Sequence, residues 1–291
     1  MTDKAALNGF SYFLKVERAM SPNTVTSYVS DVRSLLEACD AAPENISAED
    51  ILGFLESGKD ISKRSQSRFL SSLKSFYDWL VAEGEKSDNP VDLIDRPKTG
   101  RYLPEVLSVE EVSAILDSVD TRRWNGLRDK AILEILYGCG LRVSEACELK
   151  MSRVYENEGF IRVIGKGNKE RIVPIGGMAI DAYRAYLEQR PEPASPAFDD
   201  TVFLNRFGKA MSRVSVFNMV KTQALLAGIR KDISPHTFRH SFATHLIENG
   251  ADIRIVQEML GHESILTTEI YTHIDSSTWQ SDILQHHPRN K

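Results

Sequence analysis

His236 and Arg239 stand three residues apart in SPHTFRH, directly after Ser234 and Pro235. Serine before proline predicts a helix start: the hydroxyl caps a free N–H, and proline has no N–H to leave unpaired. Residues three apart in the first turns share a face. Helix N-termini attract anions through unpaired N–H groups and the macrodipole, so an imidazole and a guanidinium there suit a phosphate. Taken alone, the pair reads more readily as a core histidine beside a surface arginine. A zinc reading is weaker. His236 and His240 have the spacing of HExxH, but Thr237 stands where that motif needs its glutamate, and Arg239 sets a cation between the imidazoles.

Arg142 follows the apolar run AILEILYGCGL, 131–141, whose Gly138 and Gly140 predict a close backbone bend. A guanidinium just past a buried helix is held rigidly and offers two parallel N–H donors to phosphate oxygens. Glu145 can pair with it or orient it, and a purely structural Arg–Glu pair fits as well. Lys166 lies in the polar turn GKGNK, where an ammonium can reach into a groove or simply be solvated. His262 follows Leu260-Gly261, and Tyr271 closes LTTEIY. A tyrosine on an apolar helix face is ordinarily core.

The elements that must position these groups are mostly helices. Val25, Tyr28, Val29, Val32, Leu35 and Leu36 recur at helical spacing in 21–37, with Ser21-Pro22 as the start. A second helix is expected over about 47–57, opening at Ser47 with Asp50 three on. A third, over about 62–83, places Phe69, Leu70, Leu73, Phe76, Tyr77 and Leu80 on one face and stops at Gly84. Its basic residues Lys63, Arg64, Arg68 and Lys74 come mainly from the first half, a candidate face for phosphates. Pro97, Gly100 and Pro104 mark residues 98–105 as a linker, dividing a domain over 1–97 from one over 106–291. Ser108 and Glu111 have capping-box spacing. FIRVI and RIVPI, within 159–175, flank GKGNK and predict a β-hairpin, with Lys169 as a further cation near its tip. Helices are expected again over 178–189, 213–227, 235–249, 252–260 and from 264 onward. The fold class is therefore mainly α with a small β-hairpin or sheet.

Composition is that of an ordinary globular chain: 291 residues, 42% hydrophobic and 26% charged, room for two domains. No run approaches a membrane span, and the N-terminus shows no secretory pattern. Three cysteines without CxxC spacing suit a reduced, cytoplasmic protein. The net charge of −5 speaks against a nucleic-acid partner, although local stretches such as 59–74 and 162–171 are basic.

Each of these patterns is weak alone. Their order is not: Arg142, Lys166, His236 with Arg239, His262, then Tyr271. In that order, and in the flanks GLRVSEACEL (140–149), GKGNKERIVPI (165–175) and SPHTFRHSFATHLIENGADIRIVQEMLGHESILTTEIYTHI (234–274), the chain resembles the tyrosine site-specific recombinases of the phage integrase family. Within it, the bacterial Xer recombinases are the closest resemblance. SPNTVTSYVSDV and SRFLSSLKSFYDWLVAEG resemble that family's core-binding, SAM-like domain. The resemblance spans nearly the whole chain and implies a two-domain clamp around DNA. It implies Tyr271 as nucleophile and a 3′-phosphotyrosine intermediate, with no metal and no cofactor. It also implies four protomers, of one or two kinds, on paired double-stranded sites, with a C-terminal interaction tail over 272–291 anchored by Trp279, Ile283 and Leu284. A tail folding back on its own domain fits that segment equally. Resolution of chromosome dimers during cell division is the implied role, with a second recombinase and a DNA translocase as further partners. The integrase of a small mobile element is the alternative, and a non-catalytic DNA-binding protein a weaker one.

Overall fold

The computed structural model describes residues 1–57, 62–97, 105–165, 169–261 and 283–290. It forms two compact units, Met1–Tyr102 and Leu103–Lys291. Among the described residues, no helix is long and apolar enough to cross a membrane.

Among its described residues the first unit has four α-helices: α1 (Asp3–Tyr12), α2 (Pro22–Ala38), α3 (Ala48–Ser57) and α4 (Lys63–Ala82). Ser21 caps α2 by accepting the Thr24 N–H at 3.3 Å, with Pro22 at the first position. Ser47 and Asp50 bond each other reciprocally at the start of α3, and α4 ends just before Gly84, at φ +76°. The apolar stripes meet in one core that includes Phe10, Val32, Leu35, Leu73, Phe76 and Leu80. Helix α1 did not stand out in the sequence because its core residues, Ala6 and Phe10, are only two.

In the second unit, the Ser108–Glu111 capping box opens α5 (Val109–Asp117) with both reciprocal bonds made. Helix α6 (Trp124–Gly138) is the axis of this unit. Every residue from Ala131 to Tyr137, Glu134 included, is buried, as expected of a helix covered on all sides. Short α7 (Val143–Cys147) follows. The sheet is antiparallel in the order β1 (Val154–Tyr155), β2 (Phe160–Ile164), β3 (Glu170–Pro174). The expected hairpin is β2–β3, in register from Phe160 opposite Pro174 to Ile164 opposite Glu170. The two-residue β1 is an addition, too short to show as a periodic pattern. Helices α8 (Gly177–Glu188), α9 (Arg213–Leu226), α10 (Pro235–Glu248) and α11 (Ile253–Leu260) complete the described unit. They lie within a residue of their expected bounds. The expected helix from 264 lies outside the described residues, as does most of the expected linker.

Candidate active site

Helix α10 begins as the sequence indicated. Ser234 accepts from the Thr237 N–H, and the Thr237 hydroxyl accepts from the Ser234 N–H at 3.1 Å. The two side chains of interest then part company. His236 and His240 are exposed, whereas Arg239 is buried, with 8% of its surface accessible. The simpler reading, a core histidine and a surface arginine, is thus inverted. Arg239 stays buried because its donors find backbone carbonyls: Nη1 donates to Gly140 O at 2.6 Å and Nη2 to Leu260 O. Burial, and then the nearby charges of Arg142 and Arg171, push its pKa down to about 10, which leaves it cationic at neutral pH.

Gly140 makes the bend expected between α6 and Arg142. It is left-handed at φ +58°, and a Cβ there would come within 2.5 Å of the Phe242 ring. Only glycine meets both demands without strain. The turn delivers Arg142 to the N-cap of α7. Glu145, on the first turn of α7, accepts the Arg142 backbone N–H at Oε2 (2.7 Å) and its Nη1 at Oε1 (3.0 Å). Arg142 Nη2 reaches Gly261 O at 3.1 Å, and about a third of the side chain stays accessible.

A third arginine, not singled out in the sequence, completes the cluster. Arg171 lies on β3, on the buried face it shares with Val173. Its Nη1 and Nη2 donate to the two oxygens of Glu145 at 2.7 and 2.8 Å, and its Nε donates to Met259 O at 2.7 Å. Strand alternation is the signal that would have shown it facing inward. Burial alone would raise the Glu145 pKa. The bonds from Arg171, followed by its charge and the two bonds from Arg142, reverse that and hold it below the usual carboxylate range.

The three arginines therefore converge on three consecutive carbonyls, Met259, Leu260 and Gly261, at the end of α11. Those carbonyls have no partner inside the helix and sit at the negative end of its dipole. Left-handed Gly261, at φ +62°, ends the helix. The next residue in the chain is His262. His262, Tyr271 and Lys166 lie outside the described residues. The described flanks of Lys166 are joined by the Gly165 N–H donating to Lys169 O at 2.8 Å, and Lys169 is exposed.

The basic residues of α4 are less uniform than their spacing suggested. Lys63 is exposed, and the Arg64 side chain lies outside the described residues. Arg68 grips the buried Asp31, with Nη2 donating to Oδ1 at 2.9 Å, and Lys74 is paired with Asp92. Two of the four cations thus already have carboxylate partners, made by residues remote in sequence. Among the described residues no group of His, Cys, Asp and Glu gathers that could hold a metal ion.

The expected C-terminal tail is described only over 283–290, and that part packs on its own unit. Ile283 is in the core, and Arg289 Nη2 donates to the buried Glu134 at 2.7 Å. Asn249 Nδ2 donates to His286 O at 2.8 Å. Trp279 lies outside the described residues.

Two family models match the chain: the phage integrase family over residues 105–278, and the phage integrase N-terminal SAM-like domain over residues 7–84. A relative from Chlorobaculum tepidum, named tyrosine recombinase XerD, is 44% identical over 295 residues, covering 98% of this chain and 97% of the relative. The crystal structure of XerA recombinase is 32% identical, covers 98% of this chain and 99% of that one, and superposes with a TM-score of 0.50. A lambda integrase tetramer bound to a Holliday junction is 19% identical, covers 92% of this chain and 80% of that one, and superposes at 0.72. At that identity it speaks for the fold alone.

Proposed function

We propose that this chain, which belongs to the phage integrase family, is a tyrosine site-specific recombinase that cuts and rejoins DNA through Tyr271. One observation carries the reading. Arg142 and Arg239, read from sequence as phosphate ligands, are drawn together on adjacent carbonyls at the end of α11, and the chain leads from there to His262 and Tyr271.

In the scheme, the Tyr271 oxygen attacks phosphorus and the bond to the 5′-oxygen breaks, leaving a 3′-phosphotyrosine. A 5′-hydroxyl from another strand reverses the step, so the number of phosphodiester bonds is unchanged and ATP is not consumed. The transition state gathers negative charge on its non-bridging oxygens. Arg142, Arg239 and His262 are placed in sequence and chemistry to bind that charge more tightly than the ground state. His236 takes the phenol proton, and Lys166 supplies one to the departing 5′-oxygen. No step is routed through a metal or cofactor.

Each unit matches its own family model, and in this reading both units bind the duplex, with Lys63, Arg64, Arg68, Lys74 and Lys169 as the cations offered to phosphates. Four protomers on two paired sites, of this chain alone or with a second recombinase, complete the assembly. The near-full-length likeness to the XerD relative favours resolution of chromosome dimers in the cytoplasm, driven with a DNA translocase, over integration of a mobile element. Tyr271→Phe tests the chemistry. It is expected to bind DNA as the unmodified chain does and to give no SDS-stable adduct on a suicide substrate. An adduct of normal yield from that variant would sink the assignment.

A further inference from the structure

We infer that Arg171 is a positioning residue of the recombination site, acting on Arg142 through Glu145. The inference rests on the recombinase reading above and goes one residue further than it.

The buried guanidinium of Arg171 takes both oxygens of Glu145 and the carbonyl of Met259, so it presents no face to DNA. Its surroundings fit it closely. A Cβ on Gly165 would lie 3.4 Å from Nη1, and a Cβ on Gly261 would lie 3.4 Å from Cδ. Arg171 thus joins three elements at once: the turn end of the hairpin, the first turn of α7 and the end of α11.

The charge arithmetic gives that link a purpose. With Arg142 as its sole partner, Glu145 would form a neutral pair and spend the arginine's charge on a carboxylate. A second, bidentate arginine shares the carboxylate, so the pair of cations keeps a net positive charge beside the exposed part of Arg142. The same fork fixes the Glu145 oxygens, which in turn hold the Arg142 N–H and Nη1. A lysine carries the charge but not the fork.

The test is single-turnover cleavage of a suicide duplex at saturating protein, with DNA binding measured alongside on the full chain. Removal of an outer partner that orients a reacting group typically costs about 10–100-fold in activity. Arg171→Met is expected to cleave about 100-fold more slowly and Arg171→Lys about 10-fold more slowly, with DNA affinity within about threefold of unmodified. Because the effect runs through Glu145, adding Arg171→Met to Glu145→Gln is expected to cost less than about threefold more, a non-additivity that general loss of structure does not produce. Cleavage by either folded Arg171 variant at the unmodified rate overturns the inference. So does full additivity with Glu145→Gln, or a loss of DNA binding that accounts for the whole slowing. If Arg171→Met does not fold, Arg171→Lys decides by the same rate and binding criteria. An unmodified chain that forms no adduct overturns the recombinase reading itself, whereas normal adduct from the Arg171 variants overturns only this step.

Discussion

Gly140→Ala probes fold and site through one atom. Two costs arise at that position. A residue with a Cβ in the left-handed region loses about 1–2 kcal/mol, and Gly140 lies at φ +58°. The added methyl also meets Phe242 Cδ1 at 2.5 Å and Cε1 at 2.6 Å, with Leu260 Cδ2 at 3.2 Å. Phe242 is fully buried and cannot swing aside, so overpacking adds about 1–3 kcal/mol. The sum is about 2–5 kcal/mol, or roughly 4–20 °C in the melting temperature of a unit this size. Gly159 is the control. It is also left-handed, at φ +73°, but nothing lies within 4 Å of its would-be Cβ, so Gly159→Ala is expected to carry only the backbone cost.

The consequence for chemistry follows from Gly140 O, which accepts Arg239 Nη1 at 2.6 Å. A bend displaced to make room for the methyl moves that carbonyl, the start of α7 and Arg142 with it. A misplacement of about 1 Å at a reacting centre costs on the order of 10²-fold, so adduct formation, measured well below the melt, is expected to fall 10–100-fold. Thermal melts and single-turnover cleavage of unmodified, Gly140→Ala and Gly159→Ala chains decide the matter. Equal melting temperatures for the two variants would refute the packing argument. A destabilised Gly140→Ala that still cleaves at full rate would refute the link to Arg239.

Two further outcomes are expected. Burial drives the His287 pKa down to about 4, against an ordinary value near 6.5. Between those pH values the unfolded chain binds the extra proton and the folded one does not, so stability is full above about pH 6.5 and falls by about 3 kcal/mol toward pH 4. His287→Asn is expected to flatten that part of the urea-midpoint profile, and an unchanged slope would rule the histidine out as its cause. Asp31→Asn removes the charge that holds Arg68, and Ser72 Oγ also donates to that carboxylate at 2.7 Å. Because Arg68 is half exposed and screened by water, the expected loss is modest, about 1–2 kcal/mol. Faster amide exchange confined to α2 and α4 is the signature, and an unaltered pattern would count against it.

What could be read from sequence was what depends on near neighbours in the chain. The caps at Ser21, Ser108 and Ser234 satisfy N–H groups three residues on, and β2–β3 closes through a short turn, so both show as local patterns. What escaped was made at a distance. Arg171 meets Glu145 across 26 positions and Met259 across 88. Arg68 meets Asp31 across 37, and Arg289 meets Glu134 across 155. No spacing rule links such pairs. The inversion of His236 and Arg239 has the same origin. Which of two neighbours is buried was settled by carbonyls at Gly140 and Leu260, supplied by other elements.

The net charge of −5, which argued against a nucleic-acid partner, loses its force for a related reason. Affinity for a phosphate at one point depends on the charges that face it and on how far water screens them. Around α11's end, three guanidinium groups gather, two of them, Arg142 and Arg171, on the Glu145 carboxylate, and Arg171, Arg239 and Glu145 are each less than a tenth accessible. A cluster so enclosed is screened far less than the acidic residues spread over the surface. The surplus acids lie mainly in residues 1–97, where Asp31 and Asp92 are already engaged by Arg68 and Lys74. The sum over the chain therefore measures solubility, whereas the local excess of arginine over glutamate decides what the cluster at the end of α11 can hold.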